Sequence, residues 1–580
     1  MKPSTDLLPL RGSSSILVGI LLAAAGLGCS GPDSEGPGGS ESGWVSPKLV
    51  LMGTTDVHGQ LLPWDYEADG EAEHGLSRLL PIVDSIRSVN AGPTLLVDSG
   101  DLLQGNPLAA AFTPLGPDEE HPVITAMNLM GYDAAALGNH EFNFGIEHLD
   151  RSIAAADFPF LSANVVDAET GEAAYPEYVI LERELEGRPL RIGVTAVLPP
   201  GVAVWDRDHV EGRLDFPDIV HALRGVVPRM RGEGADVVVV AAHNAFEGTS
   251  YDTVSTGLGA ENRMADVARM VHGIDVVFLG HSHREVADST LNGTLFLQAG
   301  PRAASLAVAT LDLAFTETEG WRVEAARGEL IRPDPGRSDE RMEAALADAH
   351  ARAVSQMTRV IATSPEAWSA AETRVRPTPL MELIHEVQRE VTGADLSAAA
   401  SFSLSAGLPR GNITVAHIAR LYPYDNNLLR AVRITGAELK EYLEHSARYF
   451  NPCPEAQCDP LVNPAWPGFN FDMVSGVDYT LDPTRPIGER VTRLEREGRP
   501  VADTDEFTLA LNNYRQGGGG AFPGVTQAEV VYEGNESVRE LLIRAIEARG
   551  TLDPADFEAT NWEIHPPELV DQALREGGGR

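Results

Sequence analysis

Five short segments of the chain carry side chains that bind metal ions in many proteins, and each follows a run of apolar residues. Asp56 and His58 lie two residues apart, so at the end of a strand they project to the same side. Carboxylate, imidazole and amide groups suit zinc, manganese, cobalt or iron better than metals that prefer thiolate. The candidate ligands are Asp56, His58, Asp101, Asn139, His243, His281 and His283.

These side chains could hold two divalent cations at one site. Two such ions about 3.5–4 Å apart can bridge a phosphate and activate water for in-line attack. One carboxylate must then be shared between the ions. A single histidine after a strand more often belongs to a loop than to a metal site. Five segments in series, each at a strand end, favour one shared site over coincidence.

The apolar runs are those expected of buried strands. Between Lys48 and about Leu313 they are short, rich in valine and leucine, and alternate with amphipathic stretches such as Leu76–Val89. This alternation predicts an α/β domain with helices covering the sheet. Ligands of such domains bind at the carboxyl ends of the strands, where the five segments lie.

A second α/β domain is predicted from about residue 360 to residue 545. Thr435 and Glu438 have the spacing of a capping box, which indicates the start of a helix. The segment Arg337–Gln356 predicts a single charged helix between the two domains. The polar composition of the last residues predicts a peripheral tail.

The length of the chain limits the number of its domains, and its charge limits the ligands that it can bind. A chain of 580 residues is long enough for roughly two to four domains. Its formal net charge of −40 argues against binding a DNA or RNA polymer, because the phosphate backbone would be repelled. Small anionic substrates remain compatible, since bound metals and a few arginines reverse the field locally.

The amino terminus predicts export. Arg11 precedes an apolar run, Ile16–Leu27, that is shorter than the ~20 residues of a typical transmembrane helix. Small residues then lead to Cys29, which resembles a bacterial lipoprotein signal and would leave a lipidated Cys29 at the cell surface or in the periplasm. Gly26 stands where such signals usually have leucine, so a plain secretory signal is the alternative. Ser30–Ser46 predicts a flexible tether.

The other two cysteines, Cys453 and Cys458, are close in sequence. In an exported chain such a pair most simply forms a local disulfide. A two-cysteine metal site is the alternative, but no histidine lies nearby at the spacing of a zinc site.

The motifs resemble those of a known family. The series DVHG, GD, GNHE, a single histidine and GHSH resembles the calcineurin-like metallophosphoesterases. More narrowly, DVHGQLLPWDY, VDSGDLLQGNPL and GYDAAALGNHEFNFG resemble bacterial periplasmic and cell-wall nucleotidases, over about residues 48–545. The resemblance implies a four-layer αββα catalytic domain followed by a smaller α/β nucleotide-binding domain. The expected organisation is a signal (1–29), tether (30–47), catalytic domain (48–335), linker helix (336–358), substrate-binding domain (359–545) and polar tail (546–580).

The resemblance also implies roles for the candidate ligands. One divalent cation would be held by Asp56, His58, Asp101 and His283. The second would be held by Asp101, Asn139, His243 and His281, with Asp101 shared. His140 resembles the catalytic histidine of the family, which stabilises the transition state and can protonate the leaving oxygen.

Asn143 departs from the commonest pattern. In 5′-nucleotidases the residue three after the catalytic histidine is usually aspartate, and an amide cannot raise the imidazole pKa as a carboxylate does. This asparagine, with Asp65-Tyr66 and Asn512–Arg515, resembles the 2′,3′-cyclic-nucleotide 2′-phosphodiesterase/3′-nucleotidase branch. A 5′-nucleotidase or UDP-sugar hydrolase is the alternative. A surface lipoprotein that binds nucleotides without turnover is the remote one.

The second domain is expected to hold the nucleoside. Tyr424 and Tyr514 match the two aromatic residues on which the family stacks a base, and Asn426 matches a base-contacting amide. Each tyrosine alone could equally be a half-buried core residue, and Tyr422 could be confused with Tyr424. The resemblance further implies nucleotide substrates and rotation between the domains. Separately, we expect a monomer whose membrane contact is through the amino-terminal lipid.

Overall fold

The computed structural model describes residues 47–577, apart from residues 117, 118, 252 and 455–457. The predicted signal and nearly all of the predicted tether, including Cys29, therefore lie outside the described residues. Within the described residues, no helix has the length and apolar character needed to cross a membrane.

The amino-terminal half contains two six-stranded sheets. In spatial order the first consists of Gly320–Ile331, Leu306–Thr316, Lys48–Thr54, Thr94–Asp98, Ala134–Ala136 and Phe160–Leu161. The second consists of Val286–Leu291, Thr294–Gln298, Val276–Leu279, Val237–Ala242, Arg188–Val197 and Tyr178–Leu185. The central strands of both sheets run parallel, and the outer hairpins are antiparallel.

The two sheets pack face to face. Leu49 and Leu95 of the first sheet share one buried cluster with Val194, Val239 and Phe278 of the second. Two further apolar clusters lie on the outer faces, beneath the helices. The principal helices are Leu76–Val89, Pro122–Met130, Ile146–Ile153, Ile219–Gly232 and Met264–Met270, with short ones at Pro107–Ala110, Val202–Trp205, Arg207–Val210 and Thr253–Thr256. The predicted αββα layering is therefore confirmed.

The carboxy-terminal half is a mixed α/β structure around its own core. A five-stranded sheet has the order Asp472–Ser475, Leu396–Ala400, Glu506–Asn512, Leu428–Thr435 and Val530–Ser537. A four-stranded sheet has the order Arg499–Pro500, Val491–Arg496, Asp478–Leu481 and Trp562–Ile564. The helices are Pro379–Thr392, Val415–Leu421, Gly436–Ser446, Asn513–Gln516, Val538–Arg549 and Glu568–Gly577. Thr435 and Glu438 form the predicted capping box.

The segment between the halves differs from the prediction of one helix. It forms two helices, Glu340–Ala345 and Ala347–Met357, with a break at Leu346. The first helix contacts Pro122–Met130, and the second contacts Pro107–Ala110 and also Val415–Leu421 of the carboxy-terminal half. The break lets the buried apolar side chains of both helices join the core of the amino-terminal half. The segment is thus a packed part of the fold.

The predicted polar tail is also different in the structure. The helix Val538–Arg549 crosses the expected boundary, and Trp562–Ile564 pairs in parallel with Asp478–Leu481. Leu552 and Phe557 are buried in the carboxy-terminal core. A few large apolar residues, widely spaced among polar ones, determine this packing, and the average composition of the tail conceals them. Cys453 and Cys458 form the expected disulfide.

Candidate active site at the strand ends

The predicted metal ligands come together where the strands of the two sheets end. Asp56 and His58 follow Lys48–Thr54, and Asp101 and Asn139 follow the next two strands of the first sheet. His243, His281 and His283 follow neighbouring strands of the second sheet. Because the sheets pack face to face, their parallel strands deliver these side chains to one place.

Asp101 lies at the centre of the cluster and is almost fully buried. Its Oδ2 atom is 3.1 Å from Nε2 of His243, 3.9 Å from Nε2 of His58 and 3.8 Å from Nε2 of His140. Burial acts to raise the pKa of Asp101, but His243 and His140 hold it well below its usual range. A carboxylate that several imidazoles face is suited to be shared between two cations.

The remaining ligands surround this carboxylate. Nε2 of His283 lies 3.4 Å from Oδ1 of Asp56 and 3.0 Å from Nε2 of His58. Oδ1 of Asn139 lies 3.0 Å from Nε2 of His243, and the ring centroid of His281 lies 5.1 Å from that of His243. Three overlapping groups in the described residues could hold a metal ion: Asp56, His58 and His283; His58, Asp101 and His140; and Asp56, Asp101 and His243.

The hydrogen bonds of the histidines prepare them to bind metal. Nδ1 of His58 donates to the Gln104 carbonyl at 3.0 Å, and Nδ1 of His243 donates to the Ser99 carbonyl at 2.9 Å. A carbonyl can only accept, so in the neutral form of each ring the lone pair is on Nε2, which faces the cluster. This donor set of carboxylate, imidazole and amide groups fits divalent metal ions.

His281 is oriented by a residue that the sequence did not indicate. Its Nε2 donates to Oε1 of Glu261 at 2.7 Å, which leaves Nδ1 as the free ligand atom. The other carboxylate oxygen of Glu261 accepts the backbone N–H of Ser250 at 2.6 Å. Glu261 lies outside the sequence motifs and 20 residues before His281, so the sequence does not indicate that the two side chains interact.

Glu141 is a second residue whose role was missed. Its buried carboxylate accepts backbone N–H groups from Asp101, Leu102, Leu103 and Gly138 at 2.6–3.1 Å. It therefore ties the loop of Asp101 to the loop of Asn139. Glu141 belongs to the GNHE segment, but the sequence alone does not distinguish a carboxylate that binds a metal from one that binds backbone N–H groups.

The backbone of the cluster is held in an uncommon conformation. Asp56, His58, Asp101, His281 and His283 all have positive φ angles, between 48° and 68°. Non-glycine residues rarely adopt this conformation, and such strain concentrates at functional sites. Gly138 is required by close approach, because a Cβ atom there would lie 2.4 Å from Oδ1 of Asp101.

His140 faces the cavity beside this cluster. Its Nδ1 is 2.6 Å from Oδ1 of Asn143, and Nδ2 of Asn143 donates to Oδ1 of Asp206 at 2.7 Å. Burial acts to lower the pKa of His140, but Asp101, Asn143 and Asp206 raise it above its usual value. Burial raises the pKa of Asp206 to about 7.

One cavity of about 670 Å³ joins this cluster to the carboxy-terminal half. Tyr424, Asn426 and Tyr514 line it, as do His140 and Asn143. Oδ1 of Asn426 is buried without a hydrogen-bond partner among the described residues, so it is available to a ligand. Aromatic residues that the sequence analysis did not select also line the cavity: Phe402, Trp466 and Phe469.

The αββα fold and the Asp/His cluster at its strand ends define a metallophosphoesterase. Residues 49–285 match the calcineurin-like phosphoesterase family, and residues 360–527 match the 5′-nucleotidase C-terminal domain. The chain belongs to the 5′-nucleotidase / 2′,3′-cyclic-nucleotide 2′-phosphodiesterase/3′-nucleotidase family and is a phosphoester hydrolase.

Relatives cover most of the chain. It is 32% identical to the 2′,3′-cyclic-nucleotide 2′-phosphodiesterase/3′-nucleotidase of Haemophilus influenzae, over 89% of this chain and 87% of that protein. It is 31% identical to the trifunctional nucleotide phosphoesterase protein YfkN of Bacillus subtilis, over 91% of this chain. The chain spans only 39% of the length of that Bacillus protein.

Solved structures share the fold. A putative 5′-nucleotidase from Staphylococcus aureus superposes with a TM-score of 0.76 at 24% identity, covering 89% of this chain and 99% of that one. A 5′-nucleotidase precursor from Thermus thermophilus gives a TM-score of 0.63 at 22% identity, covering 89% of this chain and 99% of that one. Each of these matches spans both halves of this chain.

Proposed function

We propose that the protein hydrolyses 2′,3′-cyclic nucleotides and 3′-nucleotides, and so supplies nucleosides for scavenging. The observation that carries this proposal is the cavity that connects the Asp/His cluster to Tyr424 and Tyr514. The relatives at 30–32% identity named for cyclic-nucleotide phosphodiesterase and 3′-nucleotidase activity support it. Relatives named 5′-nucleotidase match at 22–23%.

The proposed ligand sets follow the cluster. Asp56, His58, Asp101 and His283 would hold one divalent cation, and Asp101, Asn139, His243 and His281 would hold the other. Zinc, manganese, cobalt and iron all suit these donors. When bound, the two cations supply Lewis acidity that polarises the phosphate and lowers the pKa of water.

His140 supplies the proton chemistry in this proposal. In each hydrolysis, the water oxygen forms a bond to phosphorus, one water proton passes to solvent, and the bond from phosphorus to a ribose oxygen breaks. Nε2 of His140 gives its proton to that leaving oxygen. The hydrogen bond from Nδ1 to Asn143 keeps the ring turned so that Nε2 faces the cavity.

The carboxy-terminal half would bind the nucleoside. Stacking of a base between Tyr424 and Tyr514 tolerates different bases, because every base has a π face. The unpartnered Oδ1 of Asn426 would accept a hydrogen bond from the base or the ribose. Gly519 leaves room for Tyr514, since a Cβ atom there would lie 2.4 Å from its ring.

A substrate panel tests the proposal. The purified chain, loaded in turn with zinc, manganese, cobalt and iron, is offered 2′,3′-cyclic AMP, 3′-AMP and 5′-AMP, and phosphate or ring opening is measured. We expect turnover of the first two. The matched control is Asp101→Asn, which removes the shared charge and should abolish turnover. Hydrolysis of 5′-AMP alone would establish the 5′-nucleotidase alternative.

Export and lipid attachment at Cys29 are part of the proposal. The relevant segment lies outside the described residues, so its composition is the support. A Cys29→Ser variant should appear in the soluble extracellular or periplasmic fraction, whereas the unaltered chain should sediment with membranes. Identical fractionation of the two would refute lipid attachment.

A further inference from the structure

We infer that Asp206 is a positioning residue for the proposed reaction: through Asn143 it fixes the tautomer and the orientation of His140. The inference rests on the proposed function, in which His140 gives a proton to the leaving oxygen. It assigns a role to a residue outside the motifs of the sequence.

Asp206 is suited to act through Asn143 rather than on a substrate. It lies between the short helices Val202–Trp205 and Arg207–Val210 and is only 3% exposed. Asn143 and Trp205 line the cavity, but Asp206 does not. Its carboxylate is therefore located behind the cavity wall, where its side-chain hydrogen bond in the described chain is the one to Asn143.

The carboxylate determines which way the amide of Asn143 points. Oδ1 of Asp206 can only accept, so the atom of Asn143 facing it must be the amide nitrogen, Nδ2. The amide oxygen of Asn143 then faces His140, and Nδ1 of His140 must donate. In the neutral ring this leaves the lone pair on Nε2, at the cavity, so Nε2 is the atom that takes up the proton which His140 gives to the leaving oxygen.

The direction of these bonds survives protonation of Asp206. Oδ2 is buried and has no hydrogen-bond partner among the described residues. A proton taken up by the carboxyl group therefore has Oδ2 as its site, and Oδ1 continues to accept from Asn143. An amide in place of Asp206 does not fix the direction of the bond, because either its oxygen or its nitrogen can face Asn143. If the nitrogen faces Asn143, the amide of Asn143 turns its own nitrogen towards His140.

The structure also explains how Asn143 can replace the more usual aspartate. Here the carboxylate is at position 206 instead of position 143. It orients the amide of Asn143, and that amide in turn orients His140. Exchanging the two groups keeps both hydrogen bonds and reverses only the direction of the second. A carboxylate at position 143 would accept from Nδ1 of His140, and an amide at position 206 would donate its N–H to that carboxylate.

Three variants test the inference: Asp206→Asn, Asn143→Asp and the double exchange N143D/D206N. Asp206→Asn should lower kcat for 3′-AMP about ten- to hundredfold, as loss of a supporting hydrogen bond does in other active sites. It should lower kcat less for p-nitrophenyl phosphate, whose phenolate leaves without a proton. Asn143→Asp should also be impaired, because it places two carboxylates together in a buried site. The double exchange should recover kcat to within about threefold of the unaltered chain.

The matched control is Glu211→Gln, the same chemical change at an exposed residue that ends the helix of Arg207, and it should leave kcat unchanged. Metal content and the unfolding midpoint are measured for every variant. Unchanged kcat in Asp206→Asn would overturn the inference. So would a folded, metal-loaded double exchange more than about tenfold below the unaltered chain. If Asp206→Asn fails to fold, the double exchange decides alone.

The outcome is separable from that of the proposed function. If the unaltered chain hydrolyses only 5′-AMP, the substrate assignment fails, and the same variants are compared on 5′-AMP and p-nitrophenyl phosphate. The dependence on the leaving group and the recovery by exchange then still test Asp206.

Discussion

Asp208 and Arg430 form an ion pair that joins the two halves of the chain. Nη2 of Arg430 donates to Oδ2 of Asp208 at 2.6 Å, and the arginine side chain is only 3% exposed. Asp208 also accepts a hydrogen bond from Nδ2 of Asn513, beside Tyr514. The contact therefore links the helix Arg207–Val210 to the side of the cavity that Tyr514 lines.

Asp208→Asn should weaken this contact between the two halves of the chain. A hydrogen bond to a charged group contributes about 1.5–3 kcal/mol, and the amide oxygen of the substitution can still accept. A net loss of about 1 kcal/mol would raise KM for 3′-AMP roughly fivefold. The radius of gyration from small-angle scattering should increase if the halves separate. Glu533→Gln is the control, because exposed Glu533 contacts the same arginine from within the carboxy-terminal half. Equal KM values in both variants would contradict the prediction.

Tyr514→Ala and Tyr424→Ala should each weaken nucleotide binding. Stacking contributes about 1–3 kcal/mol per base, so KM for 3′-AMP should rise roughly tenfold or more. KM for p-nitrophenyl phosphate should not change, because that substrate has no base to stack. Phenylalanine at either position should preserve binding, since it keeps the aromatic face. A rise in KM for both substrates would mean that the tyrosines support the metal cluster instead.

The site could be predicted where the function of a residue depends on its place after a strand. The carboxyl ends of parallel strands converge, so Asp56, His243 and His283 could be grouped from sequence alone. Strand ends do not by themselves exclude Asp98, which is also buried there. The structure turns Asp98 towards Thr54, whose hydroxyl also contacts Tyr132, away from the cluster.

Residues that act through another residue gave no such signal. Asp206 is 63 positions from Asn143, and Glu261 is 20 positions from His281, with no regular spacing between them. Their roles depend on side-chain packing between distant loops. The last segment of the fold was missed for a related reason, because Trp562 and Phe557 are isolated apolar residues whose burial requires a partner elsewhere in the chain.

Glu261→Gln should reduce metal affinity. The amide that this substitution introduces retains one acceptor oxygen, so either Nε2–H of His281 or the N–H of Ser250 loses its partner. Substitutions of groups that orient metal ligands typically cost about 10–100-fold in affinity. Titration with manganese, followed calorimetrically, measures this without reliance on turnover. Glu247→Gln is the control, since Glu247 is exposed in the same connection between the strands Val237–Ala242 and Val276–Leu279. Equal affinities in the two variants would show that Glu261 does not orient His281.

Two buried histidines that are not among the predicted ligands should make stability depend on pH. His121 and His148 are 0% and 5% exposed, and burial lowers their pKa values to about 3 and about 4. Nε2 of His121 and both ring nitrogens of His148 have no hydrogen-bond partner in the described chain. Below pH ~6.5 the unfolded chain binds protons that the folded chain does not. These histidines therefore do not lower the free energy of unfolding above pH ~6.5. They lower it progressively as the pH falls towards about 4 for His148 and about 3 for His121.

The expected loss at pH ~5 is about 1–2 kcal/mol per histidine, measured as the free energy of unfolding in urea. The double variant H121N/H148L should lose less stability between pH ~7.5 and pH ~5 than the unaltered chain, because neither replacement titrates there. In the unaltered chain, the N–H of Val123 donates to Nδ1 of His121 at the start of the helix Pro122–Met130. The asparagine that H121N introduces can cap the helix in the same way. His221→Gln, at an exposed helix position, is the control and should keep the original pH dependence. An identical acid response in H121N/H148L and the unaltered chain would exclude these histidines as its source.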